Sequence, residues 1–167
     1  MIQPHMSKNL NRLAGYTVDV QIVPDSQEFI PQYKTDGSAA CDLRANIPAD
    51  DTGRRVVTVM PNQIEIIDVG FSMILPSGWE AQIRARSGLA TKGLQVTNAP
   101  GTIDSDYLGR IKVIVNNTSK NIINISHLER FAQMLVKPVW KINWMQTDKI
   151  DLKTDRGVGG FGSTGSE

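Results

Sequence analysis

A chain of 167 residues with 40% hydrophobic and 21% charged residues is the size of one domain that buries a core without disulfide staples. Its formal net charge of +1 supplies no global field for nucleic acid or an anionic membrane, so any polyanion must be held by local groups. A lone cysteine, Cys41, excludes an intrachain disulfide and fits a cytoplasmic setting. His5 and His127 stand apart with no zinc-ligand spacing, and no apolar run approaches the ~20 residues that span a bilayer.

In chain order, Thr17 to Val23 alternates Val18, Val20 and Ile22 with polar residues, the pattern of a half-buried strand. Pro24 and Pro31 bracket a loop, and Lys34-Thr-Asp-Gly37 reads as a turn before a short strand in Ala39 to Asn46. Val56 to Met60, Gln63 to Val69 and Phe71 to Leu75 read as three more strands. Trp79, Ala81 and Ile83 alternate with Glu80, Gln82 and Arg84 in the cleanest period of two in the chain. Ala85 to Ala90 then predicts one helical turn, with Ser87 able to cap it.

Leu94 to Thr97 returns to strand character and leads into Asn98-Ala-Pro-Gly-Thr-Ile-Asp-Ser-Asp-Tyr-Leu-Gly-Arg110, which reads as a hairpin entering the alternating run up to Val115. Ile122 to Ile125, Phe131 to Val136 and Val139 to Trp144 complete about eleven strand candidates, spaced ~8–12 residues apart as in a sandwich or barrel. The expected organisation is a tail over 1–15, a β domain over 16–146 and a flexible C-terminal arm over 147–167. That arm ends in Arg156-Gly-Val-Gly-Gly-Phe-Gly-Ser-Thr-Gly165, whose glycines favour mobility and close approach to an anion. Trp79, Trp140 and Trp144 are expected in a core or interface, His127 at a surface or interface, and Cys41 as a small buried hydrophobe.

Acids on a turn between strands are well placed for chemistry, because the sheet fixes them and the loop gives access. Taken together, Ala39-Ala-Cys-Asp-Leu-Arg-Ala45, Arg86-Ser-Gly-Leu-Ala90, Gly101-Thr-Ile-Asp-Ser-Asp-Tyr107, Arg130-Phe-Ala-Gln133 and the glycine-rich tail resemble, in order and spacing, the five motifs of the homotrimeric deoxyuridine triphosphatases (dUTPases). The resemblance runs from about Gly37 to Gly165. It implies an all-β, distorted jelly-roll-like barrel (a β-clip) with almost no helix and a mobile glycine-rich tail.

The implied activity is hydrolysis of dUTP to dUMP and pyrophosphate by water attack on the α-phosphorus with Mg²⁺, which limits uracil in DNA and supplies dUMP for dTMP synthesis. Asp104 then resembles the catalytic carboxylate that orients and activates the water, and Tyr107 the ring under the deoxyribose. Asn98, Gly101, Thr102, Ile103 and Lys112 resemble the uracil pocket. Arg86, Ser87, Gly88 and Gln133 resemble phosphate ligands, joined from the tail by Arg156, Phe161 as a cover for the base, and Gly162, Ser163 and Thr164. Asp42 matches the acid that reaches the metal through water, and Asp106 is left outside the central role. The implied partners are dUTP and two further copies sharing active sites, with no direct nucleic acid and no membrane.

Four positions depart from the family pattern: Ala40 and Leu128 where glycine is usual, Ala85 where proline is common, and Arg110 after Gly109. They leave room for two alternatives, a regulatory protein of this fold that binds a protein partner, and a dCTP deaminase-like enzyme. The deaminase needs a glutamate as general acid and base where this chain offers Asp104.

Overall fold

The computed structural model describes residues 17–150, 153–154 and 157–159. Ten strands run through these residues: β1 (Gln21–Pro24), β2 (Cys41–Arg44), β3 (Val56–Val59), β4 (Ile64–Ile74), β5 (Trp79–Ala85), β6 (Leu94–Val96), β7 (Gly101–Ile103), β8 (Arg110–Asn117), β9 (Ile123–Ser126) and β10 (Arg130–Pro138). Among the described residues, helix is limited to a 3₁₀ turn at Gln27–Phe29 and α1 (Ser87–Ala90). The strands form two four-stranded antiparallel sheets, ordered β1-β4-β8-β6 and β2-β10-β5-β7, with β3 and β9 as a separate pair. No helix among the described residues is long and apolar enough to cross a membrane.

The core lies between the sheets and follows from period-two burial on facing strands. β4 contributes Ile67, Val69, Phe71 and Met73, β8 contributes Ile111, Val113 and Val115, and Ile83, Leu43, Phe131 and Met134 come from the other sheet. Trp79 packs partly against this cluster. Cys41 is buried, as expected, and its thiol donates to Met134 O at 3.2 Å; burial raises the thiol pKa.

Several expectations change in detail. The predicted strands on either side of Gly70 are one strand, β4, because an irregularity absorbs the break: Asp68 pairs with Lys112, but the next partner pair is Ser72 with Arg110. Four steps on β4 thus face two on β8. The even excess preserves which side chains face inward. Gly70 makes this possible with φ of +82°, and an added Cβ would lie 2.2 Å from Phe29 Cγ.

The predicted hairpin is not one. β7 pairs with β5 in one sheet while β8 pairs with β4 and β6 in the other, so residues 104–109 form a corner between sheets. Val139 to Trp144 forms no strand, and Trp140 and Trp144 are 91% and 84% exposed, outside the core. Alternation alone does not make a strand; an edge must be present to pair with. Ser87 does not cap α1 either: Arg86 holds the N-cap position and no side-chain cap bond forms. Residues 1–15 lie outside the described residues, as does most of the glycine-rich tail.

Candidate active site

Two cavities on the chain gather the residues singled out from sequence. The first, about 670 Å³, is lined by Arg86, Ser87 and Gly88 at the end of β5 and start of α1, by Gln133 of β10, and by Asp42 of β2. Its centre is an ion-pair triad. Asp42 Oδ1 takes Arg86 Nε at 2.9 Å and Oδ2 takes Arg130 Nη1 at 2.8 Å, while Arg86 Nη1 also donates to Arg130 O. With 19% of its side chain exposed, Asp42 is sheltered enough for these bonds to hold both guanidinium planes. The acid expected near a metal is therefore also the brace of two arginines. Gln133 Nε2 donates to Ala85 O at 2.8 Å, which ties β10 to the entrance of α1.

The first two amides of a helix have no acceptor within it. In α1 these belong to Ser87 and Gly88, while Leu89 and Ala90 bond back to Arg86 O. The cavity wall thus combines two oriented N–H groups, a hydroxyl and braced guanidinium groups, a lining suited to an anion with several oxygens. Lys34, Arg84 and Lys92 also line it. No local pattern distinguished these isolated cations in the sequence. An adjoining cavity of about 860 Å³ shares Lys34, Asp42 and Arg130 with it.

The departure at Leu128 resolves in this region. Leu128 adopts φ of +65°, the left-handed conformation that glycine takes freely. The turn forms regardless because Leu128 N bonds to Ala45 O, Arg44 Nη1 donates to Leu128 O, and Glu129 Oε2 accepts from Ser126 N.

The second cavity, about 260 Å³, lies at the corner between sheets and is lined by Thr102, Ile103, Asp104, Tyr107, Arg110 and Lys112, with Ile66 and Ile114 as its apolar side. Asp104 is exposed. Its backbone carbonyl accepts Tyr107 N at 3.2 Å, closing a turn, and its carboxylate makes no hydrogen bond among the described residues. Tyr107 lies over Gly109, where an added Cβ would meet the ring hydroxyl at 2.5 Å, and its hydroxyl donates to Arg110 O at 3.0 Å. β7 is the last strand of its sheet among the described residues, so one edge of Gly101 to Ile103 has no neighbouring strand among them. Asn98 stands against that strand, within 3.3 Å of where a Gly101 Cβ would be. Asp106 is exposed and lines no part of this cavity.

The two cavities have no lining residue in common. Arg156, Phe161, Gly162, Ser163 and Thr164 lie outside the described residues, and among the described residues no three His, Cys, Asp or Glu side chains converge as a metal cage.

Comparison with known proteins agrees on one family. The dUTPase family pattern matches residues 27–165. A deoxyuridine 5'-triphosphate nucleotidohydrolase of Maricaulis maris is 44% identical over 156 residues, covering 90% of this chain and 99% of that protein. One of the same name from Roseobacter denitrificans is 43% identical over 144 residues, covering 86% and 91%. Among solved structures, a variant dUTPase of Staphylococcus bacteriophage 80alpha with dUpNHpp shares the fold at a TM-score of 0.75 and 21% identity, covering 89% of this chain and 99% of that one. A variant dUTPase of phage phi11 of S. aureus, described as coordinating a structural Mg(II) ion, gives a TM-score of 0.68 at 17% identity, covering 80% and 99%. The chain belongs to the dUTPase family.

Proposed function

We propose that the protein hydrolyses dUTP to dUMP and pyrophosphate, with Asp104 orienting and activating the attacking water. The observation that carries the reading is the division of labour between the cavities: among the described residues, a carboxylate without a hydrogen bond beside an aromatic ring in one, and braced arginines with amides that have no acceptor in the other. Phosphoryl chemistry asks mainly for in-line positioning and stabilisation of charge, and these are the resources present. Asp104 is the group placed to accept the proton of a water aimed at the α-phosphorus. Arg86 and Arg130, fixed by Asp42, hold phosphate oxygens together with Ser87, Gly88 and Gln133.

At the other end, the open edge of β7 matches the alternating donor and acceptor edge of uracil. Cytosine reverses the donor at position 4 and leaves a polar group unpaired, a strong basis for rejection. Close backbone approach at Gly101 excludes a 5-methyl, and Tyr107 against the sugar excludes a 2′-hydroxyl. Lys112 and Asn98 flank this pocket. No glutamate lines the cavity around Asp104, which speaks against the deaminase alternative.

The donor set fits Mg²⁺ carried chiefly by substrate phosphates and water, which is how this ion usually binds. Asp42 is the one carboxylate lining the anion cavity among the described residues, and it would hold such an ion through water. When bound, the ion would supply charge neutralisation on the triphosphate. The family resemblance adds a lid, with Arg156 toward the terminal phosphate, Phe161 over the base, and Gly162, Ser163 and Thr164 around the phosphates.

No residue lines both cavities, and in this reading one site draws its two halves from different copies. A homotrimer that joins the Asp104 cavity of one copy to the arginine cavity of the next supplies it. Ile64 and Ile66, 54% and 61% exposed beside the Asp104 cavity, are suited to lie in that contact. On the same strip Asn116, opposite Ile64, has a buried Oδ1 without a partner among the described residues. The product dUMP would serve dTMP synthesis in the cytoplasm.

The test is Asp104→Asn, assayed with dUTP, dCTP, UTP and dTTP side by side. The variant should fold, assemble and bind a non-hydrolysable dUTP analogue, while pyrophosphate release from dUTP falls by at least ~10²-fold, the usual scale for loss of a general base. Unchanged turnover would remove Asp104 from the mechanism.

A further inference from the structure

The corner that carries Asp104 and Tyr107 is anchored by an ion-pair cluster that the reaction does not use directly. Arg110, the first residue of β8 and part of the lining of the Asp104 cavity, forks its guanidinium onto two carboxylates. Nη1 and Nη2 donate to Asp25 at 2.7 and 2.6 Å, and Nε and Nη2 donate to Asp68 at 3.1 and 2.7 Å. Four of the five N–H groups of an arginine are thereby engaged, so this side chain has little left to offer a nucleotide. The fork accounts for arginine here, since a lysine ammonium cannot hold two carboxylates in a plane.

The acids are themselves held. Asp25 Oδ2 accepts Asn46 Nδ2 at 2.7 Å, and Asp68 Oδ1 accepts Gly70 N at 2.6 Å. The backbone repeats the links, from Asp25 N to Gly70 O and from Asn46 N to Asp68 O, both at 2.8 Å. The end of β1, the irregularity in β4 and the start of β8 thus meet at one guanidinium. Its pKa is pushed up, first by the bonds to Asp25 and then by those to Asp68. At its other end the same residue holds the site, because its carbonyl is the acceptor for the Tyr107 hydroxyl.

We propose that Arg110, clamped by Asp25 and Asp68, is a positioning residue that fixes the Tyr107 ring and thereby sets discrimination between deoxyribose and ribose. The inference rests on the dUTP-hydrolysing reading above. Loosening the clamp lets the ring withdraw from the sugar, which opens room for a 2′-hydroxyl and weakens packing on deoxyribose. Asp25 and Asp68 line no part of the Asp104 cavity, and of the side chains and amides they hold only Arg110 lines it, so their removal reaches that cavity through Arg110.

The experiment compares the full-length protein with Asp25→Asn, Arg110→Gln, Arg110→Lys and the Asp25→Asn/Arg110→Gln double variant. Two measurements are made: kcat/KM for dUTP and for UTP, and amide hydrogen exchange of residues 103–109 without nucleotide. The dUTP-over-UTP preference should fall about tenfold in each single variant, the size of a displaced contact worth ~1.4 kcal/mol. Exchange in 103–109 should quicken several-fold. Arg110→Lys, which keeps the charge and loses the fork, should match Arg110→Gln in both quantities rather than the parent. The double variant should be no worse than Arg110→Gln, as coupled residues behave. Full preference in Asp25→Asn, or unaltered exchange in all variants, overturns the clamp. A parent protein that does not turn over dUTP overturns the function instead, and the exchange measurement still decides whether the cluster fixes the corner.

Discussion

Replacing Gly109 with alanine adds one methyl group aimed at one ring. The new Cβ would lie 2.5 Å from Tyr107 Oη and 2.6 Å from its Cζ, whereas favourable carbon contacts begin near ~3.5 Å. The end of the ring must therefore move by about 1 Å. Tyr107 is 45% exposed, so an outward path is open, and Gly109 has no positive φ to strain. The structural cost is chiefly the hydrogen bond to Arg110 O, about 1 kcal/mol, or ~2–4 °C in the unfolding midpoint of a chain this size. The catalytic cost should be larger, because ~1 Å of misplacement at a reacting centre can cost up to ~10²-fold in rate. We expect kcat/KM for dUTP to fall by ~10- to 100-fold, or ~1.4–2.7 kcal/mol of transition-state stabilisation. Continuous pyrophosphate release and thermal unfolding at one fixed protein concentration, since the proposed assembly would make the midpoint concentration-dependent, give both numbers. Turnover within about twofold of the parent would refute the role given to the ring, and a midpoint lowered by more than ~10 °C would show that the glycine serves the fold instead.

Two further predictions concern the framework. Asn117 is fully buried; its Nδ2 donates to Val59 O and Asn121 O at 2.8 and 2.7 Å, and its Oδ1 accepts Ser119 N and Oγ at 2.9 and 2.8 Å. Asn117→Ala strands these partners and should cost ~3 kcal/mol, given ~1–3 kcal/mol for each buried group left unpaired; a loss below ~1 kcal/mol in denaturant unfolding would contradict that. His127 accepts Ile47 N at 3.1 Å and meets the Phe29 ring edge-on at 5.7 Å, and its pKa is lowered by burial first and by the charge of Arg55 second. Above the ordinary value of 6.5 His127 is neutral in both states and its contribution is complete. As pH falls below that value the unfolded chain binds the proton first, so stability declines until the folded imidazole is protonated too. The unfolding midpoint should therefore drop between pH 7 and pH 5 more steeply in the parent than in His127→Gln, and equal slopes would assign the pH dependence elsewhere.

What could be read from the residue order divides along sequence separation. β5 was legible because alternation from Trp79 to Arg84 is local, and Asp104 and Tyr107 could be paired because a single turn carries both. The joining of β4 across Gly70 was not, since it depends on Phe29 filling the space a side chain at Gly70 would take. Turn residues between Ile103 and Arg110 announce a reversal but cannot say that the chain changes sheets, because the strands that β7 and β8 pair with are chosen by the core. Arg86 and Asp42 each reach Arg130 across 44 and 88 residues, so a bracing role for Asp42 and Arg130 can be entertained from their types, but which residues they join cannot be read from the order. The strand read into Val139 to Trp144 is the same lesson reversed. Its alternation is present, but no edge among the described residues receives it. In the same way the arginine cavity holds no carboxylate free of a cation, since Asp42 is committed to Arg86 and Arg130. In the proposed homotrimer another copy of the chain would complete these features, which would make the proposed active site a property of the assembly rather than of the fold.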